Sequence, residues 1–383
     1  MKTNIPISAL LPAVLLTASA FSEDLAPLPS DGPAPKVQIA LLLDTSNSMD
    51  GLIDQAKSQL WKIVNTLNGA KREGRVPFVE VALFEYGNNG LHVGNHWIRQ
   101  VEPLTRDLDE INRELFAFRT NGGDEYCGAV IQRALSDLSW DPSPTTYKVI
   151  FIAGNEPFSQ GPVAPRQACR EAMSKGIVVN TIHCGNRDEG IAGAWHDGPA
   201  LASGEFLSID QDKAVAHIDA PQDKEIATLG IELNKTYLGY GKGWQAACAN
   251  QQAADAGAVA NEKQGAATQR ALTKSTANYF NGHWDLVDAC RAGTVKVGEV
   301  DAAELPEAMK QMTHSEREAH VARMTAERAA IQARIQELSR QRDAFVAAAA
   351  EKAAGSKGEK TLDQVIAAAV KAQAEARGYE FAE

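Results

Sequence analysis

Residues 40–51 read ALLLDTSNSMDG, and they constrain the fold more than any other stretch of the chain. An unbroken apolar run ends at Asp44, and Ser46 and Ser48 follow at alternate positions. A run without a polar face suits a strand buried on both sides of a parallel sheet. In open α/β sheets the ligand crevice lies beyond the carboxyl ends of the strands. Asp44, Ser46 and Ser48 therefore stand at a sheet rim as one carboxylate and two hydroxyls. All three are hard oxygen donors, suited to Mg²⁺, Mn²⁺ or Ca²⁺ rather than Zn²⁺. A capped turn at a helix start would use the same residues for hydrogen bonding alone.

From Val37 to about Asp219 strand and helix patterns alternate. Strands are expected at Val37–Leu43, Phe78–Glu85, Trp97–Val101, Tyr147–Ala153 and Ile177–His183, with short edge segments at Phe206–Ile209 and Ala214–Ile218. Leu52, Ala56, Leu60, Ile63, Val64 and Leu67 repeat at helical spacing. Further helices are expected at Leu108–Phe118, Gly128–Leu138 and Pro165–Lys175. Strands alternating with helices imply an α/β fold, a doubly wound and mainly parallel sheet covered on both faces.

Composition changes near Ala220-Pro221, after which helix formers dominate. Helices are expected at Asp223–Tyr237 and Trp244–Asn278, with a compact element at His283–Cys290. There Trp284, Asp285 and Asp288 read as satisfied surface acids with their neighbour rather than as contacts to the first domain. Val321, Met324, Arg328, Ile331, Ile335, Leu338, Arg342 and Phe345 are spaced alternately three and four apart, a heptad seam with arginine at two positions. Arginines in a seam need acidic residues opposite them or solvent. The first case packs the helix within its own chain and favours a monomer; the second lets two chains meet, and a dimer remains open. Residues 355–360 break the helix, and Leu362–Ala376 forms a last one. The expected organisation is 36–220 for the sheet domain, 221–305 for a helical region and 306–383 for long amphipathic helices.

The first twenty residues read as an export signal: Lys2, a modest apolar stretch from Ile7 to Leu16, and cleavage after Ala18-Ser19-Ala20. Residues 21–35, rich in Pro, Asp and Ser, read as a disordered lead-in. Export implies a periplasmic or secreted protein, and no transmembrane segment is expected in the mature chain. A net charge of −11 argues against a nucleic-acid partner. Oxidising surroundings favour disulfides among Cys127, Cys169, Cys184, Cys248 and Cys290, although five is an odd number. Cys248–Cys290 is the preferred bridge, and Cys127 pairs next with Cys169 or Cys184. As a separate reading, Cys127 at a helix start with His183 at a strand end could form a nucleophilic pair, but Asp124 and Glu125 would raise the thiol pKa.

The Asp44-x-Ser46-x-Ser48 loop resembles the metal-ion-dependent adhesion site of the von Willebrand factor type A family, and the order of elements over nearly half of the chain is similar to that domain. The resemblance implies oxygens from three loops at one sheet edge. In the second loop, TNGGDEYCGAV over 120–130, Gly122-Gly123 match, but the family's threonine is replaced by Asp124 or Glu125. In the third, Gly154 holds the place of the family's aspartate, followed by Asn155 and Glu156. Asp44, Asp124 or Glu125, and Glu156 would bring up to three negative charges to a divalent cation, Mg²⁺ or Ca²⁺. Such a site holds its metal structurally, prefers Ca²⁺, which takes more carboxylates, or holds none and leaves the acids solvated. The family's usual role implies metal-assisted binding of a protein ligand. A metal-dependent hydrolase using the acidic rim, and a scaffold built through the heptad helix, are the alternatives. No catalytic residue set is assigned.

Overall fold

The apolar run Lys36–Asp44 (β1) lies at the centre of a six-stranded sheet, shielded on both faces. The structure is a computed structural model that describes residues 35–50, 52–209, 218–260, 265–354 and 362–381. The expected signal over 1–20, the lead-in up to residue 34 and most of the 214–218 strand lie outside these residues.

After β1 come α1 (Ile53–Asn68), β2 (Ala70–Lys71), β3 (Phe78–Tyr86), β4 (Ile98–Thr105), α2 (Leu108–Ala117) and α3 (Cys127–Asp137). There follow β5 (Tyr147–Gly154), α4 (Pro165–Ser174), β6 (Ile177–Cys184), α5 (Arg187–Ala192), α6 (Asp197–Leu201) and β7 (Phe206–Ile209). The strand order is β4-β3-β1-β5-β6-β7, and every pairing is parallel except that of β3 with β4. The chain leaves β1 towards β3 and later returns on the other side to β5. The carboxyl end of β1 therefore sits where the winding reverses, which is where such sheets bind ligands.

Successive side chains of a strand point to opposite faces. Ile39, Leu41 and Leu43 enter one core, with Ile63 and Leu67 of α1 and Ile111 and Leu115 of α2. Ala40 and Leu42 enter the other, with Val130, Ile131 and Ala134 of α3 and Ala168 and Ala172 of α4. Each fully buried aliphatic side chain contributes about 1.5–3 kcal/mol. Asp107 caps α2 by accepting from the backbone N–H groups of Asp109 and Glu110, and Pro165 begins α4 without needing a donor.

The later residues form α7 (Asp223–Glu232), α8 (Trp244–Ala260), α9 (Ala266–Lys274), α10 (Leu286–Arg291), α11 (Glu307–Lys310), α12 (His314–Ala354), α13 (Leu362–Glu375) and β8 (Glu380–Phe381). The single helix expected over 244–278 is thus two, α8 and α9, with Gly265 in left-handed conformation at the start of the second. The 41-residue α12 turns its seam onto its own chain. Val321 and Met324 pack with Leu286 and Val287, and Ile335 and Leu338 pack with Ile226 and Leu233. Buried Arg328 donates to Asp285 at 2.7 Å, to Asp288 at 3.0 Å and to the Thr236 carbonyl at 2.7 Å, with its guanidinium 4.0 Å from the centre of the Tyr237 ring. Arg342 bonds Asp223 at 2.6 Å, and Phe345 is left exposed. The two seam arginines therefore meet acids of this chain. Asp285 and Asp288 are not the surface acids the sequence suggested; both are buried against Arg328.

The last helix returns to the sheet. Ile366, Val370 and Ala374 of α13 join the core beneath β1. Tyr379 donates to the Lys36 carbonyl at 2.6 Å, and β8 pairs antiparallel with β2. A second junction is polar. Asp109 of α2 accepts from Arg270 of α9 at 2.7 Å and from Tyr279 at 2.5 Å, and Arg270 also bonds Asp255.

All five cysteines are thiols, so the expected Cys248–Cys290 bridge is not formed. Cys248 on α8 accepts from Gln252 at 3.5 Å, whereas Cys290 on α10 packs with the Leu286 and Val287 cluster. The two lie on separate helices, α8 and α10.

Candidate functional site

Asp44 closes β1 and is fully buried. Its Oδ1 accepts the Ser46 backbone N–H at 2.8 Å, while its Oδ2 is buried without a hydrogen-bond partner. Ser46 and Ser48 share a hydrogen bond of 2.8 Å between hydroxyls. Ser48 also donates to Asn155 Oδ1 at 3.0 Å, and Asn155 Nδ2 donates back to the Ser48 carbonyl at 3.2 Å. The loops after β1 and β5 are thereby joined.

Of the two acids before α3, Glu125 is buried and Asp124 is exposed, its carboxylate accepting from the Tyr126 hydroxyl at 3.4 Å. Glu125 turns inward towards Asp44: a Cβ placed on Gly87 would stand 2.7 Å from Asp44 Oδ1 and 3.0 Å from Glu125 Cγ. Gly87 has φ +78°, so both its conformation and its space exclude a side chain. Burial pushes the Glu125 carboxyl up to about 7, with Asp44 and Glu156 adding repulsion. Burial likewise pushes Asp44 up to about 7, opposed by Ser46 and by the nearby Asn155 backbone N–H.

The third loop departs from the family pattern for a steric reason. A Cβ on Gly154 would lie 2.5 Å from the Tyr86 hydroxyl and 3.1 Å from Asp44 Oδ2. Tyr86, at the end of β3, donates to the Ala153 carbonyl at 3.0 Å and occupies the space that a residue-154 side chain would need. Glu156 is half-buried; its backbone carbonyl accepts from Trp195 Nε1 at 2.8 Å. Trp195 is fully buried against Phe158 and His183.

The sequence reading missed the brace behind the first loop. Thr45 donates to Glu85 at 2.9 Å, and Arg99 bonds the same carboxylate at 2.7 and 3.0 Å. Asn88 Nδ2 donates to the Thr45 carbonyl at 3.4 Å and to the Arg119 carbonyl at 3.0 Å. Only the proximity of β3 in space reveals these partners. The Cys127–His183 pair is not formed: the Cys127 sulfur lies 3.7 Å from the Tyr86 hydroxyl, and burial drives its pKa upward, away from a thiolate.

Does this set suit a metal ion? The donors are all oxygens, and one buried carboxylate oxygen has no partner, which fits a hard divalent cation. Among the described residues no three His, Cys, Asp or Glu side chains converge, so the three-carboxylate arrangement is not assembled. Asp44 and Glu125 form the acidic pair, and Ser46 and Ser48 supply hydroxyls. Asp124 faces away.

The model of the von Willebrand factor type A domain family matches residues 38–191. No curated protein matches the chain. Among solved structures, the conserved hypothetical protein BatB from Bacteroides thetaiotaomicron is 16% identical, with TM-score 0.35 over 45% of this chain and 90% of that one. Proximal thread matrix protein 1 from the mussel byssus, described with a zinc-occupied MIDAS motif, is 13% identical, with TM-score 0.35 over 47% of this chain and 43% of that one. The pilus adhesin SpaC from Lactobacillus rhamnosus GG is 14% identical, with TM-score 0.36 over 47% of this chain and 29% of that one. The chain thus spans less than half the length of the mussel protein and of the adhesin.

Proposed function

We propose that the type A domain at residues 38–191 is a divalent-cation-dependent protein-binding module of an exported protein. Asp44, Ser46, Ser48 and Glu125 hold the ion, Mg²⁺ or Ca²⁺. The observation that carries this reading is the facing of two buried carboxyls, Asp44 and Glu125, with Asp44 Oδ2 unpartnered. Two such groups repel when both ionise, and a cation between them removes both the repulsion and the missing bond. A bound cation supplies an electrophilic position at the rim for an oxygen of the partner. Two carboxylates balance a divalent charge, and Asp124 and Glu156 leave the rim acidic. The partner surface that suits such a rim carries neutral or basic groups around its ligating oxygen.

Type A domains are usually interaction modules without catalysis, and this reading assigns no reaction. Export to the periplasm or beyond rests on the signal pattern of residues 1–20. Among the described residues no helix is long and apolar enough to cross a membrane.

The test is direct. Calorimetric titration with Mg²⁺ and Ca²⁺ is expected to give a single site that Asp44→Ala abolishes. Immobilised protein is then exposed to envelope extract with cation, with chelator, and as the Asp44→Ala variant. Retention of a partner only by the wild type with cation supports the reading. Equal retention in chelator, or an unaltered titration with the variant, refutes it.

A further inference from the structure

Lys274 ends α9, and its side chain is 1% exposed. Its Nζ donates to the Gly230 carbonyl at 2.8 Å, to Asn234 Oδ1 at 2.6 Å and to Asp255 Oδ2 at 2.9 Å. Asn234, in the turn after α7, donates from Nδ2 to the same Asp255 oxygen at 2.6 Å. An amine, a carboxamide and one carboxylate oxygen that bonds both are thus held together by α9, the end of α7 and α8.

The distances bring the amine within reach of the amide carbon. A carbonyl bond is about 1.23 Å long, so Nζ at 2.6 Å from Oδ1 lies at most about 3.8 Å from Asn234 Cγ. Reacting atoms fixed at about 3–3.5 Å behave as though at very high concentration. Burial pushes the Lys274 ammonium down to about 8, against the attraction of Asp255. Burial raises the Asp255 carboxyl, but Arg270 and Lys274 outweigh it and hold the group below its ordinary value, ionised and able to take a proton. A cavity of about 20 Å³ bordered by Gly230, Asp255 and Lys274 has room for one water-sized molecule such as ammonia.

We propose that Lys274 and Asn234 join in an intramolecular isopeptide bond, with Asp255 as the proton carrier. Nζ gives a proton to Asp255 Oδ2 and turns about its Cε–Nζ bond. Its freed electron pair attacks Asn234 Cγ, and the carbonyl π pair moves onto Oδ1. Asp255 passes the proton to Nδ2. The Cγ–Nδ2 bond breaks as the carbonyl re-forms, and ammonia leaves with the electron pair of that bond. The new amide nitrogen sheds its extra proton through Asp255 to the ammonia. An ammonium and a carboxamide thereby become a secondary amide and an ammonium ion, with no oxidant or other reactant. The bond fixes the end of α7 to the end of α9 and closes a loop that holds α8. Such a link restricts the unfolded chain as a disulfide does, but reductant does not open it.

The experiment is tandem mass spectrometry of the full chain, incubated at pH 8 and digested with trypsin after denaturation. A lysine in an amide is not cut. The link therefore gives one branched peptide of residues 225–235 and 271–291, lighter by one ammonia than the two together. This peptide is expected from the wild type and should be absent from Asn234→Ala and Lys274→Met. Asp255→Asn keeps an acceptor but takes no proton, and should slow formation at least about a hundredfold. Circular dichroism checks that each variant is folded, and the wild-type digest decides the main point without any variant. Recovery of only the separate peptides 225–235 and 271–274 from the wild type overturns the proposal, as does a branched peptide from Asn234→Ala or Lys274→Met. Equal formation in folded Asp255→Asn overturns the role given to Asp255.

Discussion

Replacing Asp44 by asparagine should make the cation-free protein less sensitive to pH, and at pH 8 more stable. Asparagine keeps an oxygen for the Ser46 N–H and removes the buried charge. In the folded chain both Asp44 and Glu125 are pushed up to about 7, whereas unfolded carboxyls titrate at about 3.9 and 4.3. Between about pH 4 and 7 the folded state therefore holds protons that the unfolded state has released. Stability is fully present below that window and is lost as pH rises through it. For Asp44 alone the interval from pH 5 to 7 corresponds to about 2–3 kcal/mol. The two carboxyls titrate as a pair, and loss of the Asp44 charge also relieves Glu125. The assay is urea unfolding in chelator at pH 5 and pH 8, for wild type and Asp44→Asn. The wild type should lose about 2–3 kcal/mol relative to the variant between the two conditions. Cation should then restore the wild type at pH 8, by about 2.7 kcal/mol at a hundredfold excess over Kd, and should leave the variant unchanged. Equal pH dependence in the two proteins would refute the coupling of burial to charge at this site. Equal stabilisation by cation would refute the role of Asp44 as a ligand.

Three further outcomes follow from the packing. Arg328→Met should cost about 3–5 kcal/mol in urea unfolding, because buried Asp285 loses its cation and Asp288 keeps only Arg291, at 3.2 Å; a loss below about 1 kcal/mol contradicts the ion cluster. Ile366→Ala should cost about 2–5 kcal/mol although it lies far along the chain from β1; a neutral result detaches α13 from the sheet. Alkylation of the native protein should reach Cys248 and Cys290 first, and Cys127, Cys169 and Cys184 only on unfolding. A peptide linking Cys248 to Cys290 in non-reduced mass spectrometry would show the bridge that the structure lacks.

The parallel sheet was legible because a strand buried on both faces has no polar side to hide: the Val37–Leu43 and Tyr147–Ala153 runs read directly as such. The Asp-x-Ser-x-Ser loop was legible for the same reason, since its place follows from the strand before it. The inward turn of Glu125 and the outward turn of Asp124 were not, because loop backbones have no period to set side-chain direction. Nor was the cause of Gly154, which is Tyr86 on a neighbouring strand. The heptad spacing of α12 showed that a face would be buried, and its arginines required acids. Only the fold supplied them, as Asp285, Asp288 and Asp223, from segments whose composition reads as ordinary surface.

The return of α13 to the sheet bears on how the chain is made. The face of β1 that carries Ile39 and Leu41 is covered partly by α1 and partly by residues up to Tyr379. A ribosome adding about 5–20 residues each second completes that cover only after about 20–75 s. For that interval the first strands can pair, but their core stays open on one side. A nascent chain in this state is a substrate for chaperones. If the segment is exported, it also remains in the loosely folded form that threads through a narrow translocation pore.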